Sequence, residues 1–117
     1  MSDREARERV DCSLPLLPGC SGNDYLERLK ERLPPFLDSI NRSASVALAI
    51  YNAGTDVLDD DPLGGLALSL SDVLTRDQFV IEALQSRQLP TVVLTSGGYT
   101  AISYQAIAQM ILAALAQ

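Results

Sequence analysis

Val46-Ala47-Leu48-Ala49-Ile50 is an unbroken apolar run, and it gives way to Tyr51-Asn52-Ala53-Gly54-Thr55-Asp56, a polar stretch that suits a loop. An alternating run would mark a strand with one wet face. An unbroken one marks a strand buried on both faces, the kind found in parallel sheets. Thr91-Val92-Val93-Leu94-Thr95 has the same character and breaks at Ser96-Gly97-Gly98. Between the two runs, the pattern predicts a helix over residues 75–87. Thr75 and Gln78 have the spacing of a capping box, and Phe79, Val80, Ala83 and Leu84 fall on one side. Strand, helix, strand in this order is a β-α-β unit, which implies a parallel pair with a right-handed crossover. The predicted fold class is therefore α/β, built on a parallel sheet. So few strands would leave sheet edges unpaired and faces partly bare, so they are read as part of a larger sheet whose other members lie outside this chain.

Upstream, residues 10–17 alternate weakly and stop at Pro18-Gly19, which predicts a further strand. Residues 21–33 read as a helix, with Ser21 and Asp24 in a capping pattern and Tyr25, Leu26, Leu29 and Leu33 on one face. Pro34-Pro35 is expected to end or kink it, because proline lacks a donor and clashes with the preceding turn. Phe36, Leu37 and Ile40 extend the same buried face for another turn. Downstream, a helix from Ser103 presents Ile107, Met110, Ile111, Ala114 and Leu115 on one face.

The 117 residues suffice for one domain, with 47% hydrophobic and 21% charged residues, as in an ordinary globular protein. No apolar stretch approaches the ~20 residues of a membrane span. The start, MSDREARERVDC, is too charged for a secretory signal, so the expected location is cytoplasmic. Cys12 and Cys20 do not have metal-binding C-x-x-C spacing and are expected to be plain thiols. The formal charge of −6 argues against nucleic-acid partners, since phosphate contacts need Lys and Arg. Between Ser43 and Thr75 there is no Lys or Arg, but there are Asp56, Asp59, Asp60, Asp61 and Asp72. Such a stretch would attract a cation or a basic substrate; the plain alternative is a solvated acidic loop. The chain also contains no histidine. A hydrolase that depends on histidine bases or histidine metal ligands cannot be complete within it.

In open α/β sheets, ligands gather at the carboxyl ends of the strands. Two loops leave such ends here, one carrying Asp56 and the other Gly97, Gly98 and Tyr99. Asp56 offers a hard oxygen ligand and Tyr99 a hydroxyl donor, while the glycines let backbone approach a substrate. Each residue taken singly has an ordinary reading: a turn aspartate, a tight Gly-Gly turn, a packed ring. Ser96 does not sit in a G-x-S-x-G nucleophile turn, and no histidine exists to activate it.

Taken together, the segments resemble a known family. Tyr51-Asn52-Ala53-Gly54-Thr55-Asp56 with Asp61-Pro62-Leu63-Gly64-Gly65-Leu66 resembles the NAGTD…DPLGGL segment of histone deacetylases, especially the class IV type. Ser96-Gly97-Gly98-Tyr99 resembles the later SGGY segment that replaces GGGGY of other classes, in the same order and spacing. Leu14-Pro15-Leu16-Leu17-Pro18-Gly19 and Asp24-Tyr25-Leu26 also resemble family stretches upstream. The resemblance covers nearly the whole chain. It implies an arginase/deacetylase-like α/β fold, a parallel sheet with helices on both faces, of which residues 1–117 would be the C-terminal segment of a single domain. It further implies a zinc ion held by two Asp and one His, a His pair that manages protons, and a Tyr that donates to the oxyanion. By motif match, Asp56 takes the place of the last zinc ligand and Tyr99 that of the oxyanion donor. Gly97 and Gly98 would wall the acyl group, and Leu63 would line the acetyl-lysine channel. The family's Asp-x-His zinc segment and His-His pair precede these motifs and have no counterpart in this chain. The implied activity is hydrolysis of acetyl-lysine or related acylated amines. The implied partners are an acetylated protein or amine and the missing N-terminal half of the domain. The alternatives are a non-catalytic binding or regulatory module that keeps half of the fold and, behind it, a small phosphate-binding domain using Gly97-Gly98.

Overall fold

The computed structural model describes residues 2–43, 45–95, 97–98 and 100–116. Its elements run α1 (Asp3–Glu8), α2 (Gly22–Ser43), β1 (Ala49–Asn52), α3 (Leu70–Gln85), β2 (Thr91–Leu94) and α4 (Ser103–Leu115). β1 and β2 pair in parallel, with Ala49 opposite Thr91 and Asn52 opposite Leu94. The expected α/β class and the expected parallel pair both hold, but β1 is shifted along the chain: it starts at Ala49 and takes in Tyr51 and Asn52, expected in the loop, because they pair with Val93 and Leu94.

Packing explains the arrangement. Leu29, Leu33, Phe36, Leu37 and Ile40 of α2 meet Val80, Ala83 and Leu84 of α3, and Ala49 and Tyr51 of β1 lie against this cluster. The helices thus cover one face of the strands. The other face carries Ile50, 65% exposed, together with exposed Val92 and Leu94. The strands therefore alternate in burial instead of being buried on both faces. A second cluster, Leu58, Leu68, Val73 and Ala106, sits under the loop that leaves β1 and seats α4 beside α3.

Several local expectations change. Residues 10–17 form no strand: Leu17 is 80% exposed, and parallel bridging begins only at Ser21 and Ala67. Weak alternation without a partner edge is not enough to make a strand. α2 does not end at Pro34 and Pro35 but continues to Ser43. The apolar face continues past them, and Arg87 ties the region down. Its Nε donates to Asp38 Oδ1 at 2.9 Å, and its Nη1 donates to the Ala83 carbonyl at 2.8 Å. That pairing holds the Asp38 carboxyl below the usual carboxylate range. α3 begins at Leu70, not near Thr75, because Ser69 and Asp72 form the capping box. The Thr75 hydroxyl instead donates back to the Ser71 carbonyl inside the helix. α1, with a capping box from Ser2 and Glu5, was not expected from the pattern; it buries nothing. On α4 only Ala106 and Met110 are buried, while Ile111 and Leu115 of the expected apolar face stay exposed. Cys12 and Cys20 are free thiols. Among the described residues, no helix is long and apolar enough to cross a membrane.

Candidate functional site

The two strands end side by side, and their loops stay joined beyond them. The Ala53 N–H donates to the Leu94 carbonyl at 2.8 Å, and the Thr55 N–H donates to the Gly97 carbonyl at 2.9 Å. The buried Thr55 hydroxyl reaches the same carbonyl at 3.3 Å. These bonds carry the parallel pairing into the loops, so Asp56 and Gly97 are brought together, as their positions after neighbouring parallel strands require. A Cβ placed on Gly97 would lie 3.1 Å from the Asp56 carboxylate. Gly97 has φ +73° and Gly98 φ +143°, conformations that favour glycine. A Cβ on Gly98 would overlap the Thr55 hydroxyl. Tyr99 lies outside the described residues.

The loop after Asp56 folds back under it. Buried Asp61 accepts from the Leu63 N–H at 2.9 Å and from the Gly64 N–H at 3.0 Å, an Asx-type turn. This turn sets Gly64 against the Asp56 carbonyl oxygen, which a Cβ on Gly64 would overlap. Leu58 and Leu68, fully buried, anchor the loop in the second cluster. Leu63 stands at the loop surface, 71% exposed. The acidic stretch is used in several ways: Asp61 closes this turn, Asp72 caps α3, and Asp60 accepts from the Thr100 hydroxyl. Asp56 lines a cleft of about 330 Å³ with Tyr25, Asn52, Gly54, Val57, Arg76 and Gly97.

Gly64→Ala should therefore cost about 1–3 kcal/mol, the usual range for forcing extra volume into a packed site. Gly65→Ala should cost no more than about 1–2 kcal/mol, from its φ of +74° alone, since the space around it is open. Urea unfolding of both variants measures the difference. Equal stabilities would mean that the loop gives way at Gly64.

A buried charged network lies beneath the cleft. The Tyr51 hydroxyl donates to Asp77 Oδ1 at 2.5 Å. Arg76 Nε donates to the same oxygen at 2.9 Å, and Nη1 donates to the Gly54 carbonyl at 2.8 Å. Nη2 is 2.8 Å from Asp77 Oδ1, a Coulombic contact without hydrogen-bond geometry, and has no acceptor among the described residues. Burial raises the Tyr51 hydroxyl well above its ordinary pKa and keeps it protonated. Burial also works against the Arg76 charge, but facing Tyr51 and Asp77 more than offset it and leave the pKa raised. Sequence reasoning missed this network. A signal was present: with Val73, Val80, Ile81 and Leu84, Arg76 and Asp77 share the three- and four-residue spacing of the buried face.

Residues 2–115 match the family model described as the histone deacetylase domain. Histone deacetylase 2 of Arabidopsis thaliana is 38% identical over 109 residues, which cover 93% of this chain and 27% of that protein. An uncharacterised protein of Picosynechococcus sp. is 28% identical over 80% of this chain and 30% of its own length. The crystal structure of an acetylpolyamine aminohydrolase from Burkholderia pseudomallei superposes with a TM-score of 0.64 at 27% identity, covering 87% of this chain and 27% of that one. The chain thus spans less than a third of these relatives. With its paired strand ends, its Asp56–Gly97 cleft and a family match over nearly its whole length, the chain belongs to the histone deacetylase family and is a fragment of its α/β domain.

Proposed function

We propose that this chain supplies one wall of the active site of a zinc-dependent deacetylase that acts on acetyl-lysine or a related acylated amine. On this reading it is the C-terminal segment of the domain. The observation that carries the proposal is the Asp56 carboxylate set against Gly97 at the carboxyl ends of two parallel strands. A carboxylate oxygen suits zinc, but a catalytic zinc centre takes about three protein ligands. The chain has no histidine, and among the described residues no three or more His, Cys, Asp or Glu are grouped to hold a metal. By itself the chain does not fit a zinc centre; it contributes Asp56, and the other ligands come from outside it. When bound, zinc acts as a Lewis acid toward the acyl carbonyl. The roles left to this chain are local. Asp56 binds the ion, and Gly97 and Gly98 leave room for the acyl group. Leu63, at the loop surface, lines the approach of the acylated side chain. The Tyr99 hydroxyl donates to the carbonyl oxygen as it gains charge. The proton-transfer groups are supplied with the missing ligands, by the part of the domain that also covers Ile50, Val92 and Leu94.

The purified chain should accordingly show no turnover of an acetyl-lysine peptide and no one-to-one zinc binding tighter than about micromolar, since one carboxylate is not a zinc site. Calorimetric zinc titration and the peptide assay check both. Submicromolar stoichiometric zinc with turnover would show that the site is complete here.

A further inference from the structure

Arg76 and Asp77 are 4% and 1% exposed, although Arg and Asp are seldom fully buried without a partner. Burying an ion pair gains little stability over apolar residues of the same size, because both charges lose their water. A stability role therefore does not explain the pair, and its geometry points elsewhere. The guanidinium is spread between two targets. One edge rests on Asp77 Oδ1, which the Tyr51 hydroxyl also holds. The other edge donates to the Gly54 carbonyl, two residues before Asp56. The chain of bonds thus starts in β1, passes through α3 and ends on the backbone of the loop that β1 leads into. Arg76 also lines the cleft that Asp56 lines.

We infer that Arg76 is a positioning residue. Held by Asp77 and Tyr51, it fixes the Gly54 carbonyl from below, while the Thr55–Gly97 bond and Gly64 fix the loop from its other sides. Together they set where the Asp56 carboxylate stands in the cleft. The link to metal binding rests on the role proposed for Asp56; the mechanical role does not. The planar guanidinium is needed because separate nitrogens reach Asp77 and the Gly54 carbonyl, whereas the three N–H groups of a lysine all leave from one nitrogen.

Amide hydrogen exchange, followed by NMR on the ¹⁵N-labelled chain, tests the mechanical role without metal or substrate. Arg76→Met and Arg76→Lys should each speed exchange at Thr55 and Leu58 by about tenfold or more, while Val80 and Leu84 in α3 change by less than about twofold, the mark of a local opening. Tyr51→Phe removes one hydroxyl and should move the same amides in the same direction by less. It decides the matter if the Arg76 variants do not fold. Unchanged loop amides, or loop and α3 amides accelerating together, would overturn the inference. In a complete domain, Arg76→Met should also weaken zinc binding by about 10–100-fold, as loss of an outer partner does. If the loop amides respond but Asp56→Asn leaves zinc binding intact, the metal role of Asp56 fails and the positioning of the loop stands.

Discussion

Asp56→Asn, in a polypeptide that carries the whole deacetylase domain, should lose zinc and activity together. The substitution keeps size and shape but replaces a charged oxygen donor with a neutral amide. Loss of an outer partner of a metal ligand costs about 10–100-fold in affinity, so loss of a ligand itself should exceed that range. Asp59→Asn is the control. Asp59 is exposed, and the bond found at that residue is from its backbone N–H to the Leu68 carbonyl, which the change leaves in place. Its variant should keep zinc and rate near those of the parent. Metal content after dialysis and titration with a competing chelator give the affinities. Equal, small effects of both substitutions would remove Asp56 from the metal site.

Tyr99→Phe in the same complete polypeptide should leave zinc content and folding nearly intact and lower turnover sharply. The change removes a hydroxyl and keeps the ring. A ring that only packs would lose little. A hydroxyl that donates to the developing oxyanion acts mainly in the transition state, because the charge exists only there. Loss of one such donor costs on the order of 10²–10³ in kcat. The signature is a large fall in kcat with a smaller change in KM, which separates a lost transition-state contact from a lost substrate contact. Steady-state rates on an acetyl-lysine peptide at matched zinc occupancy make the comparison. A near-normal kcat would mean that the hydroxyl takes no part in the chemistry.

The meeting of Asp56 and Gly97 was legible in the sequence because it follows from topology: two parallel strands end on the same side, and their loops must be neighbours. β2 and the start of α4 were legible as well, from an apolar run that ends in glycines and an Ala-rich run, whereas the apolar run 46–50 misplaced β1, whose bounds are set by pairing with β2. Boundaries set by competition were not legible. Ser69-Asp72 and Thr75-Gln78 both offer a cap, and the choice went to the pair that lets Val73 join the core. Pro34-Pro35 is expected to end or kink the helix, but the helix does not end there: prolines that cost it backbone bonds can remain where the helix face on both sides is buried. The need for glycine at Gly64 was hidden as well. It comes from the carbonyl of Asp56, eight positions earlier, and local sequence says nothing about such an approach. Arg76 and Asp77 were missed because charge on a helix usually means solvent.

The bare face of the sheet bears on how this polypeptide behaves in solution. Ile50, Val92 and Leu94 lie beside strand edges that have no neighbour among the described residues, an arrangement that invites other chains to stack or pair there. Two features oppose this: the strands are only four residues long, and every molecule carries a formal charge of −6. Mutual repulsion of that kind weakens as ions are added, since its range shrinks to about 8 Å at physiological ionic strength and about 3 Å at 1 M. The colloidal stability of the fragment is therefore borrowed from its charge. Light scattering should therefore show copies staying apart in dilute buffer and associating in concentrated salt or at a pH near 4.4.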